Sequence, residues 1–488
     1  MPMIITGHDD PFPLDLDERI ELAPELLRAM AGNRARMLAA LESAPGPVYG
    51  VNTGMGRLAT HKLSPAQQAE HQRNLLIGRA VGGPPWLPEG DVRMLLLARL
   101  RDLLRPDTGA SPELARFLVD RINDRFVPAV PRSGLGSAGE IIPLSHAFQT
   151  FLGIGTVLED GAETPAAEAL ARRGAEPYVL GPKEGASLIQ GSPLAVAHAS
   201  RAWRETQQLV DLQTLAAAIA IDVFGAPRAV YRPELARGDD HLYTLLHELD
   251  MLVAGSSVRA GVVQAPVSVR VGPRAIAHAD RVNGDLFAVL QRWREDPVDS
   301  PAFLDGDFVS TTGFHAVDLG LRMDAVSAAL AHLGEVSAQR MNRVLDERFS
   351  GLPAQLAVDP GPRTGLVPLH KRAVGELHAL RRLTTPATLG SLDTSAGQED
   401  VQAFAWAAGE QVRAAADHLF AITACELIAG VQAHHLRGTP APLGLRAAYA
   451  WLSGIVPPAL VDRSLGPDVT TLVGHLREAY FTDLSTLT

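Results

Sequence analysis

Five long segments of the chain carry apolar residues at the spacing of an α-helix, and this pattern constrains the fold most. The segments are rich in alanine, and several are apolar on more than one face. Such helices belong in a bundle core or at a subunit interface, because a helix that faces solvent keeps one polar side. Strand signals are few and short. The sequence therefore predicts an all-α protein with a bundle of long helices, at residues 194–220, 275–294, 316–345, 372–383 and 401–436.

The first third of the chain shows the same spacing with clearer breaks. Apolar residues predict helices over residues 16–43 and 64–104, and the second is interrupted at Gly82-Gly-Pro-Pro85. Glycine- and proline-rich stretches later in the chain are predicted to be connecting loops, at residues 351–368 and 438–444.

Composition narrows the class of protein. The chain has 488 residues, of which 46% are hydrophobic and 20% charged, and its net charge is −11. This balance is typical of a globular protein and argues against a nucleic-acid partner. No apolar run approaches the ~18–20 residues of a membrane span, and the N-terminus resembles no secretion signal. The single cysteine, Cys425, is predicted to be a buried inert thiol. We therefore expect a cytoplasmic protein without a membrane partner.

Common catalytic and metal-binding motifs are absent from the sequence. There is no GxxxxGK[ST] phosphate loop, no HExxH and no paired CxxC. The pair His434-His435 is a poor metal site, since neighbouring side chains on a helix diverge by about 100°. We expect no metal.

Seven glycine-rich or polar segments stand at the joins between predicted helices. Taken singly, each is more often a helix cap or a turn than a functional site. Together, in order and spacing, they form a pattern that none of them carries alone. They are residues 49–56, 74–83, 136–146, 182–191, 264–270, 310–315 and 394–400.

These segments resemble the motifs of the aromatic amino acid ammonia-lyases and aminomutases, which include histidine, phenylalanine and tyrosine ammonia-lyases. The resemblance runs from about residue 45 to residue 430. It implies an almost entirely α-helical homotetramer that acts on a small molecule, with active sites assembled from three subunits around the ends of the bundle. It also implies one continuous unit, with an N-terminal domain over residues 1–190 and the long bundle and C-terminal helices over residues 191–488.

The resemblance fails at the residues from which the family builds its prosthetic group. Members cyclise an Ala-Ser-Gly triad to methylidene-imidazolone, and the serine loses water to give the methylidene. The matching residues here are Ser137, Ala138 and Gly139. Alanine has no β-leaving group, so we expect no methylidene-imidazolone and no other cofactor. Glu140 stands where the family usually has aspartate.

Several functional positions of the family are retained. The resemblance assigns the role of base to Tyr49 and the holding of the substrate carboxylate to Arg270. It also places Phe314 and the pair Gln398-Glu399 in the substrate pocket.

Other positions of the family pattern are replaced. Val267 stands in place of the second tyrosine, and Gln190 in place of the asparagine of an Ile-Asn-Gly segment. Gly313 replaces the asparagine before Phe-His, and Arg79 replaces the histidine that selects the substrate. The pattern thus keeps a pocket and the arginine that would bind a carboxylate. It loses the electrophile and some of the residues that surround the electrophile in the family.

Two alternatives concern the triad. In a shifted register, the segment Gly136-Ser137-Ala138 would cyclise around Ser137, although the Cβ of Ala138 would crowd a turn that glycine permits. Alternatively, Ala138 replaces an original serine to trap an inactive protein, which leaves Val267 and Gln190 unexplained.

The leading hypothesis is an enzyme that keeps the lyase fold but performs acid–base chemistry without the electrophile. Isomerisation, cyclisation or elimination on a carboxylate- or carbonyl-bearing molecule, in a biosynthetic pathway, would suit this site. Tyr49 is the first candidate for general acid or base, followed by His315 and Glu399. A nearby guanidinium would favour the phenolate form of Tyr49. Two rivals remain: a non-catalytic ligand-binding or scaffold relative, and a conventional histidine-type ammonia-lyase.

Overall fold

The computed structural model describes residues 2–10, 18–44 and 46–478. Helices dominate these residues, and the strands form three short pairs. Strand β1 (Met3–Ile5) is parallel to β2 (Ile20–Leu22). The pairs β3 (Thr156–Glu159) with β4 (Ala162–Pro165) and β5 (Ala302–Leu304) with β6 (Asp307–Val309) are antiparallel. The prediction of an all-α protein with few short strands is confirmed.

The described residues contain α-helices of very different lengths, joined by connections that range from a few residues to more than twenty. In chain order they are α1 (Pro24–Ser43), α2 (Pro65–Ile77), α3 (Glu89–Leu104), α4 (Pro112–Asn123), α5 (Ile141–Gln149), α6 (Ala166–Arg172), α7 (Glu184–Ile189), α8 (Pro193–Phe224), α9 (Asp240–Leu252), α10 (Val267–Arg270), α11 (Gly272–Trp293), α12 (Val317–Leu345), α13 (Glu347–Ser350), α14 (Val367–Arg381), α15 (Ala405–Arg437), α16 (Arg446–Ile455) and α17 (Gly466–Glu478).

All five predicted long helices are present, with shifts at their starts. The prediction of a helix from residue 16 was wrong over the described residues 18–23, because Ile20–Leu22 pairs with Met3–Ile5 and α1 begins at Pro24. Helix α14 begins at Val367, inside a predicted loop. Helix α15 begins at Ala405 rather than at 401, immediately after Phe404, whose φ is +44°. Helix α9 was not predicted as a separate element.

The chain divides into two compact units. Unit 1 contains Met1–Ser200, Ala288–Leu321 and Ala387–Gly409, and unit 2 contains the remaining segments. The apolar core of unit 1 packs the buried faces of helices α1 to α7. Phe151 is fully buried in this core, and its ring centroid lies 5.1 and 5.2 Å from those of Phe117 and Phe148. The boundary after residue 190 stays a prediction.

Unit 2 contains a buried polar network inside the bundle of long helices. The Arg340 guanidinium of α12 donates to both carboxylate oxygens of Glu426 of α15, at 2.6 and 2.9 Å. It also donates to Gln213 Oε1 of α8, at 2.8 Å. Because buried charges need partners, this network ties the three helices together in one register.

Helix α15 is the one described helix whose length and composition are those of a membrane span, contrary to the expectation from sequence. Of its most apolar 18-residue window, 83% is buried within the structure, as in the core helix of a bundle. Cys425 lies on this helix and is buried and unpaired. Its position confirms the prediction of a buried cysteine, and burial raises the pKa of its thiol to about 12.

Candidate active site

A cleft of about 680 Å³ opens in unit 1. Six of the seven glycine-rich segments contribute to its lining, and the seventh, residues 264–270, belongs to unit 2. The chain therefore gathers at one place most of the segments that carry the family resemblance. The lining residues are Tyr49, Met55, Gly56, Arg57, Arg79, Ala138, Gly139, Ile141, Ile189, Gln190, Gly191, Ser300, Ser310, Thr311, Phe314, Ser395, Ala396, Gln398 and Glu399.

Tyr49 is positioned by the glycine loop that follows it. The backbone N–H of Gly56 donates to Tyr49 Oη at 2.8 Å. Gly50 and Gly56 adopt φ of +66° and +57°, which L side chains rarely tolerate. Gln72 Nε2 of α2 donates to the Gly50 carbonyl at 2.9 Å and so ties the loop to the helix. Since the Tyr49 oxygen accepts from the loop, its own O–H is left to donate into the cleft.

The triad-equivalent residues present different groups to the cleft. Ala138 and Gly139 line it, whereas Ser137 does not. Ser137 Oγ donates to the backbone carbonyl of Gly139, two residues further on, at 2.5 Å. The Ala138 N–H donates to Glu399 Oε2 at 2.8 Å. Ser395 Oγ donates to the other oxygen, Glu399 Oε1, also at 2.8 Å. Glu399 thereby fixes its own loop to the backbone of the triad-equivalent segment.

Glu140 joins the starts of two helices beside the cleft. It is the residue before α5, and its carboxyl oxygens accept from the N–H groups of Leu194 and Ala195 in the first turn of α8, at 2.6 and 2.7 Å. Burial raises its pKa to about 8, although these two bonds act in the opposite direction. Both helix N-termini carry positive partial charge. Burial nevertheless outweighs these N–H donors at Glu140, which acts as a structural link between the starts of α5 and α8.

Arg79 lies half-buried just beyond the end of α2. Its nearest acceptor is the carbonyl of Leu75, 3.5 Å from Nη1, which is the limit of a hydrogen bond. Burial lowers its pKa, and the neighbouring Tyr49 and Glu399 partly offset this. Among the described residues no carboxylate lies within ion-pair distance of Arg79. Its guanidinium is thus available to a ligand.

A buried ionic network supports one wall of the cleft, and sequence reasoning missed it. Lys183 Nζ donates to Asp299 Oδ2 at 2.5 Å, to Ser187 Oγ at 3.1 Å and to the Thr108 carbonyl at 3.0 Å. The Asp299 carbonyl accepts from Thr311 Oγ1 at 2.7 Å, and Thr311 lines the cleft. The only sequence signal was a lysine and an acid that each follow a short stretch containing proline.

The floor of the cleft is held by a second buried charge that the sequence did not reveal. Arg99 is 1% exposed and donates to the carbonyls of Ser187, at 2.9 Å, and Gln190. The Gln190 side-chain amide lines the cleft and has no hydrogen-bond partner among the described residues. It is therefore available to a ligand, and its assigned role in substrate binding stays a prediction.

Close backbone packing explains the glycine at position 313. A Cβ on Gly313 would lie 2.3 Å from the Pro297 carbonyl oxygen, closer than real Cβ contacts. The asparagine of the family pattern does not fit this backbone. The next residue, Phe314, lines the cleft, and its carbonyl accepts from Ser192 Oγ at 2.7 Å.

Besides Ser137, three predicted site residues are not among those that line the cleft. His315 Nε2 lies 3.2 Å from the Val401 carbonyl, which gives the ring a structural partner. Val267 and Arg270 belong to α10 of unit 2. Arg270 Nε donates to the Ala265 carbonyl at 2.9 Å, and its two terminal nitrogens have no partner among the described residues. The assigned roles of these three residues stay predictions.

Comparisons with known proteins agree with this architecture. The family model described as aromatic amino acid lyase matches residues 14–453. Histidine ammonia-lyase of Streptomyces coelicolor is 33% identical over 476 residues, covering 95% of this chain and 93% of that protein. The enzyme of the same name from Deinococcus radiodurans is 30% identical over 475 residues, covering 94% and 90%.

Solved structures share the fold along nearly the whole chain. Tyrosine aminomutase from Streptomyces globisporus superposes with a TM-score of 0.91 at 24% identity, covering 97% of this chain and 95% of that chain. Histidine ammonia-lyase from Trypanosoma cruzi gives 0.90 at 23% identity, covering 99% and 95%. With the matching cleft segments, these findings show that the chain belongs to the aromatic amino acid lyase family.

Proposed function

We propose that this chain is an ammonia-lyase-like enzyme that works without the methylidene-imidazolone electrophile. It performs an isomerisation, cyclisation or elimination on a carboxylate- or carbonyl-bearing small molecule by acid–base chemistry. One observation carries the proposal: Ala138, which has no leaving group, lines the cleft at the electrophile's place, while Tyr49 and Glu399 line the same cleft.

The residues present do not fit the family's prosthetic group. The Ala138 side chain has no oxygen to lose as water, so ring closure at residues 137–139 would yield no methylidene. The hydroxyl of Ser137, which a shifted register would need, is bonded to the Gly139 carbonyl and does not line the cleft. No step of the proposed chemistry passes through the group.

The chemistry rests on proton transfer beside a carbonyl or carboxyl group. In the phenolate form, Tyr49 removes a proton from the adjacent carbon, and the C–H electron pair moves toward the carbonyl oxygen. The N-terminus of α5, whose first residue Ile141 lines the cleft, supplies positive partial charge for the resulting anion. Return of the proton at another carbon gives isomerisation, and departure of a leaving group gives elimination. Arg270 of another subunit is proposed to hold the carboxylate, as the resemblance implies.

Two other functions give different expectations. A non-catalytic relative would bind the same ligands without proton transfer. A histidine ammonia-lyase, the function named for the Streptomyces and Deinococcus relatives, would release ammonia from histidine and would need the electrophile. Intact mass and absorbance distinguish the histidine ammonia-lyase from the proposed enzyme. Hydrogen exchange in D2O distinguishes the non-catalytic relative.

The intact mass of the purified protein is expected to equal the mass of its sequence, because Ala138 cannot dehydrate. We also expect no near-ultraviolet band of a conjugated imidazolone. Mass spectrometry and an absorbance spectrum check this, with Ala138→Ser as the matched variant that restores the missing hydroxyl. A water deficit at residues 136–139 in the unmodified protein, together with such a band, would refute the proposal and favour the shifted register.

Catalysis itself is tested by hydrogen exchange in D2O. A panel of carboxylate- and carbonyl-bearing small molecules is incubated with the protein, and deuterium uptake beside the carbonyl group is measured by NMR. We expect uptake in a molecule that also binds, since proton abstraction is reversible before the committed step. Binding without any uptake across the panel would favour the non-catalytic relative.

A homotetramer is expected in solution, as the resemblance implies. Supporting this proposal, a segment of unit 2 exposes Val263 at 87% and Val267 at 60%, and clustered apolar exposure marks contact surfaces. Light scattering at micromolar concentration should report four copies. Val263→Asp should weaken assembly, whereas Val179→Asp, at an equally exposed valine of unit 1, should not. A monomeric wild type would contradict the proposal.

A further inference from the structure

We propose that the substrate is a dianion, whose second oxyanion group is bound by Arg79 inside the cleft of unit 1. The inference rests on the proposed function for the first carboxylate and adds a second anionic group. That group is a carboxylate or a phosphate, because both present oxygens that match a planar guanidinium.

The first support is the unmet hydrogen-bonding capacity of Arg79. A guanidinium carries five N–H donors. The one acceptor recorded for Arg79 is the Leu75 carbonyl, at 3.5 Å from Nη1. The side chain is half-buried, so solvent reaches it only in part. Partly desolvated donors without partners are unfavourable unless a ligand supplies oxygens.

The second support is that the hydrogen bonds of the cleft acid, Glu399, go to groups other than Arg79. Both oxygens of Glu399 accept other hydrogen bonds, from the Ala138 N–H and from Ser395 Oγ, each at 2.8 Å. No ion pair joins Glu399 to Arg79 among the described residues. Glu399 therefore serves its own loop and leaves the guanidinium to a ligand.

The third support is the sign of charge in the cleft. Its lining contains two arginines, Arg57 and Arg79, and one acid, Glu399. The lining thus has a net charge of +1 in a chain whose net charge is −11. A positively charged cleft in an acidic protein attracts anionic ligands and raises their local concentration.

The remaining lining suits oxyanions better than a bare aromatic ring. Ser300, Ser310 and Thr311 form a hydroxyl-bearing wall, and Gln190 and Gln398 add amide donors. Ser300 Oγ accepts from the Thr311 N–H at 3.3 Å, so its own hydrogen is left for a ligand. A volume of about 680 Å³ accommodates a small molecule with two charged ends.

Binding to the full-length protein as purified tests the inference. Isothermal titration is done with L-glutamate, O-phospho-L-serine, L-glutamine and L-phenylalanine. We expect glutamate or phosphoserine to bind at least about tenfold more tightly than glutamine, which has the size of glutamate without its second charge. The tighter of the two acids identifies carboxylate or phosphate as the second group. Equal or tighter binding of glutamine or phenylalanine, or no binding of either acid, would overturn the inference.

Two variants assign the effect to Arg79. Arg79→Gln should weaken binding of the acidic probes by about ten- to a hundredfold and leave glutamine unchanged, since hydrogen bonds to a charged group are lost. Arg73→Gln, at an exposed arginine of α2 outside the cleft lining, should change neither the affinity for the acidic probes nor the affinity for glutamine. A thermal melt of each variant checks folding, and Arg79→Lys, which keeps the charge, should give an intermediate affinity. An equal effect of Arg79→Gln on acidic and neutral probes would overturn the inference.

Failure of the inference differs from failure of the proposed function. Deuterium uptake could occur in carboxylates whose side chain is uncharged or aromatic, at a rate that Arg79→Gln does not change. This result would overturn the inference of a dianionic substrate and leave the proposal of an acid–base enzyme intact. Tight, Arg79-dependent binding of the acidic probes without any uptake supports the dianion and refutes catalysis.

Discussion

Replacing Lys183 by methionine is expected to lower the free energy of unfolding by about 3–5 kcal/mol, the scale for removing one partner of a buried ion pair. Lys183 is 0% exposed and Asp299 2% exposed. With the ammonium gone, the Asp299 carboxylate would stay buried, and Ser187 Oγ would be its remaining side-chain donor among the described residues. Chemical denaturation followed by circular dichroism measures the change.

A double variant separates the ion pair from simple packing. Lys183→Met combined with Asp299→Leu removes both charges and should recover much of the lost stability, because well-packed apolar pairs often replace buried ion pairs without loss. Arg28→Gln breaks the exposed pair with Glu25 and should leave the denaturation curve unchanged, since exposed pairs contribute little. A Lys183→Met protein as stable as wild type would show that the pair does not hold this wall.

The same substitution should also alter the cleft. Asp299 precedes the lining residue Ser300, and its carbonyl holds the lining residue Thr311. Movement of this wall would weaken ligand binding in protein that remains folded, so a titration beside the denaturation curve connects the network to the site.

Replacing Tyr49 by phenylalanine is expected to slow deuterium uptake about 10²- to 10⁴-fold, the usual contribution of a general acid or base. The change removes only the phenolic oxygen, which accepts from the Gly56 N–H and faces the cleft. Ligand affinity should change far less than the rate, because the ring remains in place. NMR rates and titrations on the same ligand measure both quantities.

Tyr243→Phe is the matched control, since Tyr243 is 51% exposed and does not line the cleft. It should leave the uptake rate unchanged. A Tyr49→Phe protein with the wild-type rate would show that Tyr49 does not transfer the proton. The role would then fall to Glu399, the other acid–base candidate that lines the cleft.

The long helices and the approximate places of the site segments were predictable because their signals are local. Apolar spacing within a segment such as residues 194–220 predicts a helix from short-range information, and α8 spans Pro193–Phe224. Pairing between distant segments is not local, so the strand Ile20–Leu22 was mistaken for the start of a helix. The role of Lys183 was missed for the same reason, since its partner Asp299 lies 116 residues away.

The sequence by itself determined the family pattern, the long helices and the chemistry missing at residue 138, because these depend on residue identity and short-range spacing. Tertiary structure alone decided which side chains share the cleft. It bound Glu399 to the Ala138 backbone. It also left Arg79 without a carboxylate partner among the described residues. These outcomes depend on contacts between segments up to 261 residues apart, and the spacing of residues along one segment carries no information about them.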